Sequence, residues 1–155
     1  MNPIVFYDGE CDFCNRWVQW IIDRDAGRVF RFASLQSGFA REVFLHYDMT
    51  VALNSIVIFK DNKEFLAKSE AVSYIFAQLK PDSVFYKMMK VLPRFLSDFG
   101  YDCIAGVRKK LKKRSCRLLS KEEKRLFLND TDFTVWLSEN NAPKKPVSFP
   151  LHHKK

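Results

Sequence analysis

The chain opens on a short apolar run, Ile4-Val5-Phe6-Tyr7, cut off by Asp8-Gly9. An apolar stretch of this length that ends on Asp-Gly predicts a buried strand entering a tight turn. From Cys11 the texture changes. Cys14, Trp17, Val18 and Ile21 recur at i, i+3, i+4 and i+7, Asn15, Arg16, Gln19 and Asp23 lie elsewhere, and Asp25-Ala26-Gly27 supplies a stop. That spacing predicts a helix with one apolar face. Val29 to Phe32 reads as a second strand, and a helix joining two strands through short loops predicts a parallel pair with a right-handed crossover. Val43, Phe44 and Tyr47 then mark a second helix over Phe39 to Tyr47.

Past Asn54 the pattern becomes β-like. Ser55-Ile56-Val57-Ile58-Phe59 is β-branched and apolar, Asp61-Asn62 marks a turn, and Glu64-Phe65-Leu66-Ala67 returns, so a hairpin is expected. Ser69 is placed to cap a helix running through Val72, Ile75, Phe76 and Leu79, which Pro81 ends. Val84 to Leu92, Phe95 to Lys113 and Lys121 to Leu128 carry helical spacing, with Pro93 as a break. The chain therefore divides into a core over residues 1–80, a helical extension over 81–128 packed on the same domain, and a loosely attached tail over 129–155 that mixes Trp136 and Phe149 with prolines and Lys-rich dipeptides.

At 155 residues the chain suits a single domain that needs no staple. Its longest apolar runs fall well short of the roughly 20 residues that span a bilayer. Four cysteines without a cationic-then-apolar leader predict a reducing, cytoplasmic setting. Charge is uneven: residues 1–80 sum to −1 and residues 81–155 to +9. Arg108, Lys109, Lys110, Lys112, Lys113, Arg114 and Arg117 form a run with no intervening acid. It is either a solvated helix end or a patch for an anionic surface, whether membrane, nucleic acid or acidic protein.

The candidate chemistry lies at Cys11-Asp12-Phe13-Cys14. A strand that turns through Gly9 and opens a helix at Cys11 sets that sulfur beside unpaired backbone N–H groups, where thiolate is favoured. Cys14, one turn later on the same side, can resolve a mixed disulfide at Cys11. Asp8, Glu10 and Asp12 crowd the turn and disfavour a further negative charge, so a reducing pair is expected instead of a strong oxidant. The other reading of Cys-x-x-Cys is half a zinc site. Its partners would have to come from Cys103, Cys116, His46, His152 or His153, whose spacings fit no usual ligand pattern, and no metal is expected. Asp8 could accept the Cys14 proton or simply hold the turn. Arg31 could pair with Asp8 or a substrate carboxylate, or be the polar face of a strand. Trp17 and Trp20 read as core. Cys103 and Cys116 are either extra thiols or small buried hydrophobes.

With these motifs in view, the chain resembles the DCC family of thiol-disulfide oxidoreductases, named for the Asp-x-x-Cys-x-x-Cys present as Asp8, Cys11 and Cys14. Phe6-Tyr7-Asp8-Gly9 resembles the family's opening, Phe30-Arg31-Phe32-Ala33-Ser34-Leu35-Gln36-Ser37 its second signature, and Ser69-Glu70-Ala71 its Ser/Thr, acid and Ala. Tyr101-Asp102, Ile104-Ala105 and Arg108 resemble its later helix, and Cys116 sits where many members carry a cysteine. Val107 before Arg108 and Arg117-Leu118-Leu119 after Cys116 depart from the family pattern. The resemblance, over residues 3 to 128, implies an α/β thioredoxin-like fold of glutaredoxin size: a mixed four-stranded sheet with flanking helices, plus a C-terminal helical extension. It also implies disulfide reduction with catalytic Cys11, Cys14 and Asp8. The dithiol itself carries two electrons, so no cofactor is expected. By analogy with glutaredoxin the helix start at Ser69 could hold a glutathione carboxylate, though Glu70 opposes it. The partners expected are a disulfide-containing protein or small-thiol substrate and an upstream thiol reductant, acting on a monomer. In thioredoxins a cis-proline precedes the third strand; here Leu53-Asn54 stands there. A basic peripheral module with a vestigial cysteine pair is the competing reading.

Overall fold

The computed structural model describes residues 2–50, 55–60, 64–108 and 121–140. The elements are β1 (Ile4–Tyr7), α1 (Asp12–Ile22), β2 (Arg31–Ser34), α2 (Gly38–His46), β3 (Val57–Phe59), β4 (Phe65–Ala67), α3 (Lys68–Leu79), α4 (Val84–Val91), α5 (Arg94–Arg108), α6 (Lys121–Lys124) and α7 (Asp132–Asn140). The sheet runs in the order β2-β1-β3-β4. β1 and β2 are parallel, with Ile4 opposite Arg31 and Tyr7 opposite Ser34. β3 lies antiparallel to β1, with Phe6 opposite Val57, and β4 antiparallel to β3.

Alternation along β1 builds two cores. Ile4 and Phe6 face Phe39, Val43 and Phe44 of α2, together with Val57 and Phe59 of β3. Val5 faces the other way, toward Val18 and Ile21 of α1 and Ala71 and Ile75 of α3. A central strand buried on both faces has to be apolar at every position, which is why the opening run has no polar residue inside it. The result is a three-layer α/β/α sandwich with α1 and α3 on one side and α2 on the other, a thioredoxin-like arrangement. The predicted parallel pair and the hairpin are both present; the hairpin tip at 61–63 lies outside the described residues.

Several expectations are corrected by side-chain and tertiary contacts. The second strand begins two residues later than Val29, because the buried Asp25 carboxylate accepts from the backbone N–H groups of Val29 (2.9 Å) and Phe30 (2.8 Å) and holds them out of the ladder. Ser69 does not cap α3. The N-cap is Ala67, and the Ser69 hydroxyl donates to Asp98 of α5. Lys121 to Leu128 is helical only as far as Lys124; Leu126 to Leu128 then lie along the free edge of β2, with Phe32 N–H donating to Leu126 O (2.9 Å) and Leu128 N–H to Phe32 O (2.8 Å). Nor is the chain from Asn129 a loose tail as far as Asn140. α7 packs on α2, and Trp136 is buried against Phe39, Phe59 and Tyr47. Local polarity disguised this helix, since among its residues with described side chains only Trp136 is buried. Residues 141–155 lie outside the described residues.

Candidate redox active site

β1 delivers the chain to the site at its C-terminal end. Cys11 N–H donates to Asp8 O (3.2 Å), closing a turn, and Cys11 O accepts from Asn15 N–H (3.0 Å), starting α1. Cys11 is the N-cap residue, with extended φ and ψ, and no side-chain oxygen caps the helix. The N-cap side chain is the one that faces the N–H groups of the second and third helical residues, here Phe13 and Cys14. Cys11 is half-buried and Cys14 is buried. The first sulfur of the pair thus stands at the helix start and the second lies within the first turn of α1.

Asp8 is engaged in the turn. Its Oδ1 accepts from Glu10 N–H (3.1 Å) and from Gln36 Nε2 (2.9 Å). Gln36 in turn receives Gly9 N–H (3.0 Å) and the Ser34 hydroxyl (2.6 Å) on its Oε1. Asn15 closes the ring from the helix side by donating to Gly9 O (3.0 Å). Gly9 is required here for space: a Cβ on it would stand 2.6 Å from Ser34 Oγ. The Cys-x-x-Cys loop is thus sewn to the segment after β2 by one amide side chain. Sequence reasoning placed Gln36 in a signature without giving it a task. The Phe-Ala-Ser-Leu-Gln-Ser run at the end of a strand parallel to β1 was the available signal, because parallel pairing brings both strand ends to one edge.

A second cluster stands where β3 begins. Register places Ile56 opposite Tyr7, next to the turn. Ile56 N–H donates to the Tyr101 hydroxyl (2.9 Å), Ser69 bonds Asp98, and Lys68 pairs with Asp102 at 3.0 Å, so α5 is fastened to the start of β3 and of α3. Leu53-Asn54, the stretch expected to replace a cis-proline, lies outside the described residues. A cleft of about 350 Å³ opens on the β2 side, between Tyr7 and Ser34 and the chain at Phe127, Asn129 and Thr131.

Residues 5–114 match the family described as DCC1-like thiol-disulfide oxidoreductase. The chain belongs to this family. A chloroplastic DCC family protein of Arabidopsis thaliana is 32% identical over 110 residues, covering 69% of this chain and 63% of that protein. The protein YuxK of Bacillus subtilis (strain 168) is 30% identical over 129 residues, 82% of this chain and 94% of its own. The chain therefore spans less than two thirds of the Arabidopsis relative and nearly all of the Bacillus one. No solved structure matches it. The four DCC segments meet in pairs: the opening motif with the second signature through Asp8 and Gln36, and Ser69 and Lys68 with the later helix through Asp98 and Asp102.

The remaining candidates separate from the dyad. Arg31 Nη1 donates to Arg125 O (3.2 Å) and serves the strand edge. Trp17 and Trp20 stack at 4.7 Å with Phe76 against them, at the half-buried rim of the core. Cys103 is exposed on α5. Cys116, His152, His153, Lys109, Lys110, Lys112, Lys113 and Arg114 lie outside the described residues, and Arg108 ends α5. Among the described residues, no three of His, Cys, Asp and Glu stand together as metal donors. No helix among them is long and apolar enough to cross a membrane.

Proposed function

We propose that this DCC family oxidoreductase is a disulfide reductase in which Cys11 is the nucleophile and Cys14 the resolving thiol. The observation that carries this reading is the asymmetry of the pair: Cys11 is accessible at an N-cap free of any side-chain cap, and Cys14 is buried at the third helical position. The Cys11 thiolate attacks one sulfur of a substrate disulfide. The other sulfur leaves as a thiolate and takes a proton from water. Cys14, its proton released to solvent, then attacks Cys11, breaking the mixed disulfide, freeing the second substrate thiol and leaving the Cys11–Cys14 disulfide. Two electrons have passed to the substrate, and an external dithiol returns them. Asp8 acts as a positioning residue, since the lone pairs of its Oδ1 are taken by Glu10 and Gln36.

The dithiol needs no bound cofactor for this cycle. Asp98 and Glu70 set two acids at the start of α3, which disfavours a glutathione carboxylate there. A disulfide in a protein or small thiol is the substrate class, and a cycle that starts from the dithiol suits a reducing compartment such as the cytoplasm. The test is insulin reduction with dithiothreitol as donor. Cys11→Ser abolishes it, whereas Cys14→Ser attacks once and accumulates as a mixed disulfide through Cys11. Equal alkylation of both single variants at neutral pH contradicts the assigned order.

A further inference from the structure

α4 and α5 both pack on α3, and each leaves an apolar stripe uncovered. On α4, Val84, Met88 and Val91 recur at i, i+4 and i+7 and are 81%, 52% and 83% exposed. On α5, Phe95 and Phe99 are 75% and 67% exposed. With both faces of the sheet already covered, five large side chains in water on two consecutive helices have no core left to join, and a patch of this kind marks a surface that something covers.

The charges beside it decide what. The two acids of α5 are engaged by α3: Asp98 bonds Ser69 and Asp102 pairs with Lys68. Lys87 and Lys90 of α4 are exposed, and among the described residues neither has an ion-pair partner. The sequence continuing from α5 adds seven Lys/Arg and no acid over positions 108–117. An apolar stripe edged by lysines on a helix too short to span is the pattern of a segment that lies in a lipid interface. A protein partner would more often meet a face poor in lysine.

We infer that the α4–α5 face docks on an anionic phospholipid surface, with Met88, Val91, Phe95 and Phe99 entering the headgroup boundary and the lysines facing the lipid phosphates. The experiment is co-sedimentation of the full chain with vesicles of phosphatidylcholine alone or mixed with phosphatidylglycerol, at low and at 0.5 M salt, beside gel filtration without lipid. Expected is binding to the mixed vesicles that falls at least tenfold on pure phosphatidylcholine, on added salt, or in the Val91→Glu/Phe95→Glu variant. That variant keeps its circular dichroism and its insulin reduction, because both side chains are exposed and distant in sequence from the dyad. Lys87→Glu/Lys90→Glu weakens binding to mixed vesicles severalfold and leaves weak binding to neutral ones unchanged. Undiminished binding by the Val91→Glu/Phe95→Glu variant overturns the assignment, since the basic run alone would then suffice. So does a concentration-dependent dimer that this variant dissolves without any vesicle binding by the wild type, which would make a second copy the occupant.

Discussion

Replacing Gly9 by alanine tests whether the Cys-x-x-Cys loop is held by the segment after β2. The new Cβ would lie 2.6 Å from Ser34 Oγ, 3.3 Å from Ser34 Cβ and 3.4 Å from Gln36 Oε1. Carbon and oxygen pack best at roughly 3.5 Å, so the first contact is short by close to an ångström. Ser34 cannot swing aside freely, because its hydroxyl donates to Gln36 Oε1 and accepts from Gln36 N–H (3.2 Å). Overpacking of this kind costs about 1–3 kcal/mol. The stiffer unfolded chain returns about 0.4–1 kcal/mol, leaving a net loss centred on about 1.3 kcal/mol in urea denaturation. The turn also shifts Cys11 relative to α1, and insulin reduction should fall about tenfold, as misplacement of a reacting group by a fraction of an ångström allows. Ser34→Ala in the same chain removes the offending oxygen. The double variant should recover much of the stability, with a coupling of about 1 kcal/mol or more in the mutant cycle. A Gly9→Ala protein within about 0.3 kcal/mol of wild type, or purely additive single effects, would refute the close-approach argument.

Two further outcomes concern stability. Asp25→Ala strands the Val29 and Phe30 N–H groups and should cost about 3 kcal/mol, with faster hydrogen exchange at Phe30; Asp25→Asn, which keeps one acceptor oxygen, should lose less. The Tyr47 hydroxyl is buried with no hydrogen-bond partner among the described residues, so Tyr47→Phe should stabilise by about 1 kcal/mol. Burial raises the Tyr47 phenol above its ordinary 10.0, so the folded chain holds the phenol proton more tightly than the unfolded chain and stability falls as pH rises past 10. Wild-type stability should therefore fall more steeply than that of Tyr47→Phe as pH rises past 10; parallel curves would contradict this.

What the sequence shows of the fold follows the range of the interactions. β1, the turn at Gly9, α1 and the β3–β4 hairpin are written in neighbouring residues, as apolar runs, helical spacing and turn pairs. The dyad is legible for the same reason, because both its sulfurs and the helix that orders them lie within a few positions. Asp25 was hidden, since a carboxylate beside a helix stop looks like a solvent residue until its acceptance from Phe30 N–H shows it inside. Gln36 was visible only as part of a motif, because its partners in the cysteine turn, Gly9 and Asp8, are 27 and 28 positions away. α7 was missed outright. Its buried aromatic, Trp136, meets a core built largely by residues 39 to 65, and nothing in the local spacing announces that surface.

The pairing of Leu126 to Leu128 with β2 has a consequence for synthesis. Arg31 and Arg125, bonded across that edge, are 94 positions apart. At translation rates of about 5–20 residues per second, β2 leaves the ribosome roughly 5–20 s before the chain that covers it. During that interval Phe32 and the open N–H and C=O groups of the strand present a template to any other unpaired strand. Nascent chains of this protein should therefore depend on holding chaperones more than their size suggests, and variants that weaken the Leu126–Leu128 segment should aggregate in the cell before they lose stability in the test tube.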